Sequence, residues 1–422
     1  MSDNINLTNN KEFKYWRRRT LYSIMIGYGA FYLVRHNFAL SIPFICSELN
    51  VNKVDIGLLI SIGSLLYGFG KFVFGLLGDK YSARYVMSIG LLLSGIFNIL
   101  IGISSVFPII AILYLLNQVV QATGAPPCVK LMKHWYSTTE MGRVWATWMM
   151  APHISSAIIT LYFPVILLHH GWKAIFYLPG IVAILLSIFI FNRLTDTPEQ
   201  LGFKSAESNN NSNESSKNKK LSLIETIKLV IRNKNVLCVS FAAFFVYINR
   251  MTFLNWGPTI LKEYRNSSNM GVGYQMALFE ISGIIGALTA GYISDKLFNG
   301  RRAPVGAMCM FLLAIINIMF RFIPKESAIL NSICMLLIGF LIAATVMLVS
   351  VSATDFVEKK VAASANGFTG TLCYVGTAVA GLGNGYLAEH YGWNAVVLLT
   401  ILSAMCGCIL FCILWNKKPI NN

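Results

Sequence analysis

The chain has 422 residues, 55% of them hydrophobic and only 12% charged, with a formal net charge of +16. Charged side chains make up about a quarter of a soluble protein, so this chain cannot cover a water-facing surface and most of its surface must meet lipid. That excludes a cytosolic enzyme, a secreted disulfide scaffold and a disordered tail protein, and it makes the basic excess a matter of topology before nucleic acid.

Residues 1–20 are polar and place Arg17-Arg18-Arg19 directly before the first apolar run, with no small-residue cleavage site after it. They read as a cytoplasmic N-terminal segment rather than a cleaved leader. Crossing the hydrocarbon core takes about 20 mostly apolar residues. The first segment to qualify, 21–46, carries Tyr28, Tyr32 and Arg35, whose spacings of four and three put them on one helical face. The second, 54–78, carries Tyr67 and Lys71 four apart and is followed by Asp79-Lys80. Segments 84–104 and 107–131 come next, the latter interrupted by Gly124 and Pro126-Pro127, a bend that lipid tolerates where backbone is buried or lines a cavity. Segment 143–168 holds Pro152 and His153, and 173–193 closes a group of six.

Residues 194–236 form a polar, low-complexity stretch with Asn209-Asn210-Asn211 and Lys217 to Lys220, which cannot bury a core and reads as a cytoplasmic linker. Six further spans follow at 237–261, 271–293, 303–323, 328–352, 362–386 and 393–415, with Tyr247 and Arg250 in the first, Glu280 in the second and Tyr374 in the fifth. Asp295-Lys296 follows the second of them, and Arg321 sits close enough to an end to snorkel. Residues 416–422 are a short cytoplasmic tail. The expected protein is therefore an all-α integral membrane protein of twelve transmembrane helices, in halves 21–193 and 237–415.

Charge supports that topology. With the N-terminus inside, 25 of the 34 Lys and Arg residues fall in inside segments and five in outside loops, which is the positive-inside pattern. The basic excess then needs no nucleic acid. The nine cysteines form no CxxC pair and no cluster with histidine of metal-ligand spacing. No nucleotide-binding motif, Ser/His/Asp order or paired carboxylates are visible, so no cofactor, metal or enzyme activity is expected.

The halves repeat. Gly75-Leu-Leu-Gly-Asp79-Lys80 matches Gly291-Tyr-Ile-Ser-Asp295-Lys296 at an offset of 216, and His170-Gly171-Trp172 matches Tyr391-Gly392-Trp393 at 221. Arg35 and Arg250 stand 215 apart. Two such halves place a binding site at the bilayer midplane and open it to either side by rocking.

The repeated Gly-x-x-x-Asp-Lys loop resembles the signature of the major facilitator superfamily. Tyr32-Leu-Val-Arg35-His-Asn-Phe-Ala, Tyr67-Gly-Phe-Gly-Lys71-Phe, Gly124-Ala-Pro-Pro-Cys128, Asp196-Thr-Pro-Glu and Gly367-Phe-Thr-Gly370 resemble the organophosphate:phosphate antiporter family within it. Phe279-Glu280-Ile-Ser-Gly and Ser294-Asp-Lys-Leu-Phe-Asn-Gly-Arg301 lean toward its hexose-phosphate branch. The resemblance implies that Arg35 and Arg250 bind the substrate phosphate and that Lys71, Tyr28, Tyr32, Tyr67, Tyr247 and Tyr374 line or approach the cavity. It also implies that Asp79, Lys80, Asp295 and Lys296 form latches between neighbouring helices, and that Glu280 occupies a position where a carboxylate is common. Three departures stand out. His36 follows Arg35 where relatives commonly carry Lys, Ala343 stands where the glycerol-3-phosphate branch has a tyrosine, and the histidine of span five falls at Pro152, with His153 one position later.

The residues themselves point the same way. Ionisable groups deep in a span cost at least about 2.5–3.5 kcal/mol each on insertion scales, and Arg35, Lys71 and Arg250 face one deep anion, Glu280. Unless another group compensates, a substrate carrying close to two negative charges supplies what is missing, and two guanidiniums can fork onto its oxygens. The bland alternative packs the tyrosines between helices and pairs the cations with Glu280 or with backbone carbonyls. The expectation is a transporter of the cell inner membrane with both termini cytoplasmic, for which a monomer suffices. It exchanges a phosphate ester, hexose 6-phosphate first, for inorganic phosphate. Glycerol-3-phosphate antiport, proton symport through Glu280 and a hexose-phosphate sensor are its rivals.

Overall fold

The computed structural model describes residues 11–78, 81–137, 140–203, 229–357 and 359–418. Among them are twelve helical spans and no strand. They are α1 (Lys11–Leu49), α2 (Lys53–Gly78), α3 (Ala83–Ile103), α4 (Phe107–Trp135), α5 (Met141–His170), α6 (Ala174–Arg193), α7 (Lys234–Tyr264), α8 (Asn269–Lys296), α9 (Arg302–Phe322), α10 (Ala328–Asp355), α11 (Lys359–Tyr391) and α12 (Trp393–Ile413). Ten are long and apolar enough to cross a membrane. The other two, α1 and α11, have the length but dilute their apolar content, α1 with the run Arg35-His36-Asn37 in mid-helix and α11 with Asn366, Asn384, Glu389 and repeated glycine.

Several spans leave regular geometry where the sequence marks it. α4 breaks between Gln121 and Ala125, and Pro126 and Pro127 open its second segment, where a missing N–H costs nothing. α5 breaks at Met149, so Pro152 falls in the first turn of the segment Met150–His170 rather than mid-helix. α7 contains two π-turns, Thr252–Trp256 and Ile260–Tyr264. The repeated Gly-Trp pair has a structural cause: Gly171 and Gly392 adopt left-handed φ of 73° and 75°, stopping α5 and α11 where a side chain would be strained.

The described residues group into two compact units. One holds α1 as far as Asn37, Leu66–Ser156, and the chain from His169 through α6; the other holds Phe38–Leu65, Ala157–Leu168 and α7 to α12. The first unit is centred on Phe31, Met87, Leu91, Leu131, Met132 and Trp135, all buried. α1 begins ten residues before the apolar run that predicted it. Those extra turns are held by Phe13 stacked on Trp135 at 6.1 Å, by Tyr136 Oη donating to Arg17 O at 2.7 Å, and by an Arg17–Glu140 ion pair at 2.6 Å. Hydropathy finds the hydrocarbon core, whereas these aromatic and ionic contacts extend the helix beyond it. The start of the linker packs here too. Trp135 donates to Thr195 O at 3.1 Å, Asp196 accepts from Arg84 N at 2.8 Å, and Phe203 meets Phe13 edge-on at 5.5 Å. Asn209 to Lys220 lie outside the described residues.

The Arg17 hydrogen bond holds the Glu140 carboxyl below its ordinary range. A lowered native pKa adds stability above the unfolded value and loses it as pH falls through the native one. Replacing Glu140 by Gln should therefore lower the thermal midpoint near neutral pH. The pair is partly exposed, so the cost is at most about 1 kcal/mol. The difference from wild type should vanish in acid, once the native carboxyl is also neutral; a midpoint gap that persists at the lowest pH would overturn this account.

In the second unit the N-terminal end of α2 meets the C-terminal end of α11 at backbone distance. A Cβ on Gly57 would lie 2.6 Å from Gly381 O, and one on Gly385 would lie 2.3 Å from Lys53 O. The N-terminal end of α8 meets α5 in the same manner, a Cβ on Gly273 falling 2.5 Å from Thr160 O and 2.8 Å from Pro164 Cγ. Gly57 and Gly273 are 216 residues apart, while Thr160 and Gly381, like Pro164 and Gly385, are 221 apart. These are the offsets of the sequence repeat, so the two close contacts are copies of one another. Around the α2–α11 contact, Lys53 Nζ is 3.2 Å from Glu263, Trp393 Nε1 donates to Glu263 at 2.9 Å, and Lys53 N donates to Glu389 at 2.9 Å.

Candidate functional site

In the first unit the face predicted on α1 meets the one predicted on α2. The Arg35 guanidinium carbon lies 3.9 Å from the centroid of the Tyr67 ring and 5.9 Å from that of Tyr32, and Lys71 Nζ lies 5.3 Å from the Tyr67 centroid. Tyr67 is buried and carries two cations at once. Aromatic faces attract cations by about 0.5–2 kcal/mol, which holds both heads near one ring and concentrates positive charge there. Tyr28 is also buried, stacked on Trp148 at 4.5 Å and edge-on to Tyr32 at 5.3 Å, so it braces Tyr32 from behind. His36, a departure from the family pattern, pairs Nδ1 with Ser156 Oγ at 2.7 Å and meets the Tyr32 ring at 5.1 Å. His153 is half-buried near the start of the second α5 segment.

The second unit contains the matching parts. Arg250 on α7 lies 5.6 Å from the Tyr247 centroid, and both are half-buried. Glu280 is buried on α8 and Tyr374 half-buried on α11. At the C-terminal end of α8, Asp295 and Ser294 pair with Arg302 of α9, whose Nε lies 3.5 Å from Asp355 of α10; Lys296 ends α8 beside them. Asp355 joins this cluster although the sequence reading passed it over. Its signal was a carboxylate at the end of an apolar span. Asp79 and Lys80 lie outside the described residues.

Charge-guided reading also missed a set of neutral amides. In the first unit Asn37, Asn98, Asn117 and Gln121 are buried around α1. In the second, Asn317 donates to Asn249 at 3.2 Å and Asn384 donates to Thr252 Oγ1 at 2.7 Å, on either side of Arg250. The available signal was Asn and Gln inside apolar spans.

Each unit thus holds one tyrosine-backed arginine, Arg35 on α1 and Arg250 on α7, and the family to which the chain belongs makes it a polytopic transporter rather than an enzyme. The chain belongs to the Major Facilitator Superfamily, whose family model matches residues 24–381. It is 32% identical over 424 residues to the "Probable hexose phosphate transport protein" of Chlamydia trachomatis, covering 97% of this chain and 93% of that one. It is 33% identical over 415 residues to the "Membrane sensor protein UhpC" of Escherichia coli K12, covering 96% and 93%. Among solved structures, a bacterial homolog of the human lysosomal transporter Spinster superposes with a TM-score of 0.81 at 12% identity, covering 96% of this chain and 99% of that chain; that likeness concerns the fold.

Proposed function

We propose that the protein exchanges an organic phosphate ester, hexose 6-phosphate first, for inorganic phosphate across the inner membrane by alternating access. The observation that carries this is the pair of arginines 215 residues apart, Arg35 and Arg250, each backed by tyrosine rings. A dianionic phosphate offers oxygens to two guanidinium forks, and charge-assisted bonds of that kind are about twice as strong as neutral ones. The relative named for hexose phosphate transport supports the choice of ester.

In this reading the ester enters from outside, neutralises Arg35 and Arg250, and permits the halves to close over it. Closure on one side opens the other, and cytosolic phosphate replaces the released ester for the return step. Without a bound anion the arginines repel, so the empty protein resists closure and exchange prevails over net flux. Lys71 and Tyr67 add positive charge and a hydroxyl on the α2 side, Tyr32, Tyr247 and Tyr374 contribute aromatic and hydroxyl groups for the sugar with Tyr28 backing Tyr32, and Glu280 balances the cations. Asp79-Lys80 and Asp295-Lys296 are read as the latches that break as the halves rock, with both termini cytoplasmic and a monomer sufficient.

The relative named as a membrane sensor favours a second reading, in which the same site binds hexose phosphate and reports occupancy to a partner. Uptake of labelled phosphate into proteoliposomes preloaded with phosphate, competed by glucose 6-phosphate and glycerol 3-phosphate, separates the cases. Exchange that stops when the lumen is phosphate-free is expected, with glucose 6-phosphate the stronger competitor. Binding without exchange would overturn antiport in favour of sensing. Uptake driven by a pH gradient with no internal phosphate would mean symport and make Glu280 the next residue to replace.

A further inference from the structure

Arg35 follows the residue at which α1 leaves helical geometry. Val34 has φ −96° and ψ 15°, against about −63° and −42° in a regular helix. The Val34 carbonyl belongs to the peptide bond whose nitrogen is that of Arg35, so its direction fixes the plane from which the Arg35 side chain departs. That oxygen accepts from Asn98 Nδ2 of α3 at 3.0 Å and from Asn117 Nδ2 of α4 at 3.2 Å. One turn earlier stands the Phe31 carbonyl, the acceptor a regular helix offers to the Arg35 N–H. It accepts from Gln121 Nε2 of α4 at 3.0 Å.

These amides are themselves fixed. Ser94 Oγ donates to Asn117 Oδ1 at 2.6 Å and accepts from Gln121 Nε2 at 2.9 Å, while Asn98 Oδ1 accepts from Asn37 Nδ2 at 2.7 Å. Asn98, Asn117 and Gln121 are 1%, 4% and 3% exposed. Neutral amides so deep in a membrane protein are costly unless satisfied, and a connected, satisfied network gives rigidity and direction that apolar packing does not.

We propose that Asn98, Asn117 and Gln121 are positioning residues that hold the backbone on either side of the Arg35 amide, so that its guanidinium meets a phosphate oxyanion in fork geometry. This deepens, and rests on, the phosphate-ester reading of the site. The second unit also places amides beside its arginine, but they bond to side chains rather than to backbone carbonyls. Arg250 is flanked by Asn249, which accepts from Asn317, and by Thr252, which accepts from Asn384 and begins a π-turn. Both arginines thus stand beside a departure from α geometry braced by amides of neighbouring helices. A fork needs its donors aimed, whereas a point charge does not.

Interhelical amides also simply hold helices together in membranes, and a double-mutant cycle tells the two roles apart. Binding of labelled phosphate and of glucose 6-phosphate would be measured on the purified full chain as wild type, Asn117→Leu, Arg35→Lys and the double variant, each normalised to its monodisperse fraction. Asn117→Leu should weaken binding about tenfold or more in the wild-type background, and less than about twofold in the Arg35→Lys background, since lysine has no fork to aim. Equal losses in the two backgrounds would mean that Asn117 acts on the fold alone and would overturn the positioning role. Should Asn117→Leu fail to yield folded protein, Gln121→Met removes the donor to Phe31 at similar volume and enters the same cycle. Wild type that binds neither ligand would overturn the phosphate reading and this one together. Binding with an additive cycle would overturn this one alone.

Discussion

Arg35→Ala and Arg250→Ala should each reduce phosphate exchange in proteoliposomes to the level of protein-free vesicles, and Arg35→Lys should recover only a small part of it. Each guanidinium can make two charge-assisted bonds to a phosphate, and hydrogen bonds to charged groups contribute about 1.5–3 kcal/mol each. Losing a fork therefore costs on the order of 10²- to 10⁴-fold in affinity. Lysine keeps the charge and gives up the paired, planar donors. The comparison between Ala and Lys separates neutralisation from geometry. If Arg35→Lys exchanged at the wild-type rate, charge alone would suffice and the braced backbone beneath Arg35 would have no purpose. If Arg35→Ala exchanged normally, Arg35 would not be a phosphate ligand at all, and its position over Tyr67 at 3.9 Å would be packing. Both variants should remain folded, because Arg35 is only half-buried and the amides beneath it bond to backbone oxygens that the substitution leaves in place.

Much of this arrangement was legible because lipid imposes simple rules. Helical spans must be long and apolar, so the twelve spans could be placed to within a few residues apart from the N-terminal extension of α1. That extension depends on Phe13, Arg17, Tyr136 and Glu140, whose contacts lie about 120 residues apart in sequence and leave no periodic trace. The tyrosine–cation faces were readable because helical spacing is local: Tyr32 with Arg35, Tyr67 with Lys71, Tyr247 with Arg250. The meeting of Arg35 with Tyr67 needed the packing of α1 on α2. The amides were overlooked for another reason. A charge deep in a span demands explanation, whereas a lone Asn such as Asn98 or Asn317 invites the guess of a helix-packing contact. Only the turned Val34 carbonyl shows what Asn98 and Asn117 grip. The Gly-Trp repeat was visible as a repeat, but its cause, a left-handed stop at Gly171 and Gly392, is a backbone fact.

Gly385→Leu should stall exchange while sparing phosphate binding, because it acts on the contact between α2 and α11 and touches none of the candidate ligands. A Cβ at Gly385 would sit 2.3 Å from Lys53 O and 3.2 Å from Gly57 Cα, so the neighbours in its way are backbone and cannot swing aside. Overpacking of this kind costs about 1–3 kcal/mol or more. Charged to one of two states, that is roughly a 5- to 150-fold shift in their ratio. Parting the helices also breaks the contacts of Lys53 with Glu263 and Glu389. Gly273→Leu, at the repeat-related contact of α8 with α5, should have the same effect. Gly383→Ala is the control: it lies on the same helix between Gly381 and Gly385, and its Cβ would meet only Val379 Cγ1 at 4.0 Å. Cys46, half-buried near the end of α1, supplies a native reporter. An impermeant maleimide should label it faster in Gly385→Leu and Gly273→Leu than in wild type or Gly383→Ala. Exchange at the wild-type rate in Gly385→Leu would mean that the contact need not form during the cycle. Loss of phosphate binding along with exchange would mean that the substitution reaches the site, and rocking about this pair of glycine contacts would then lose its support.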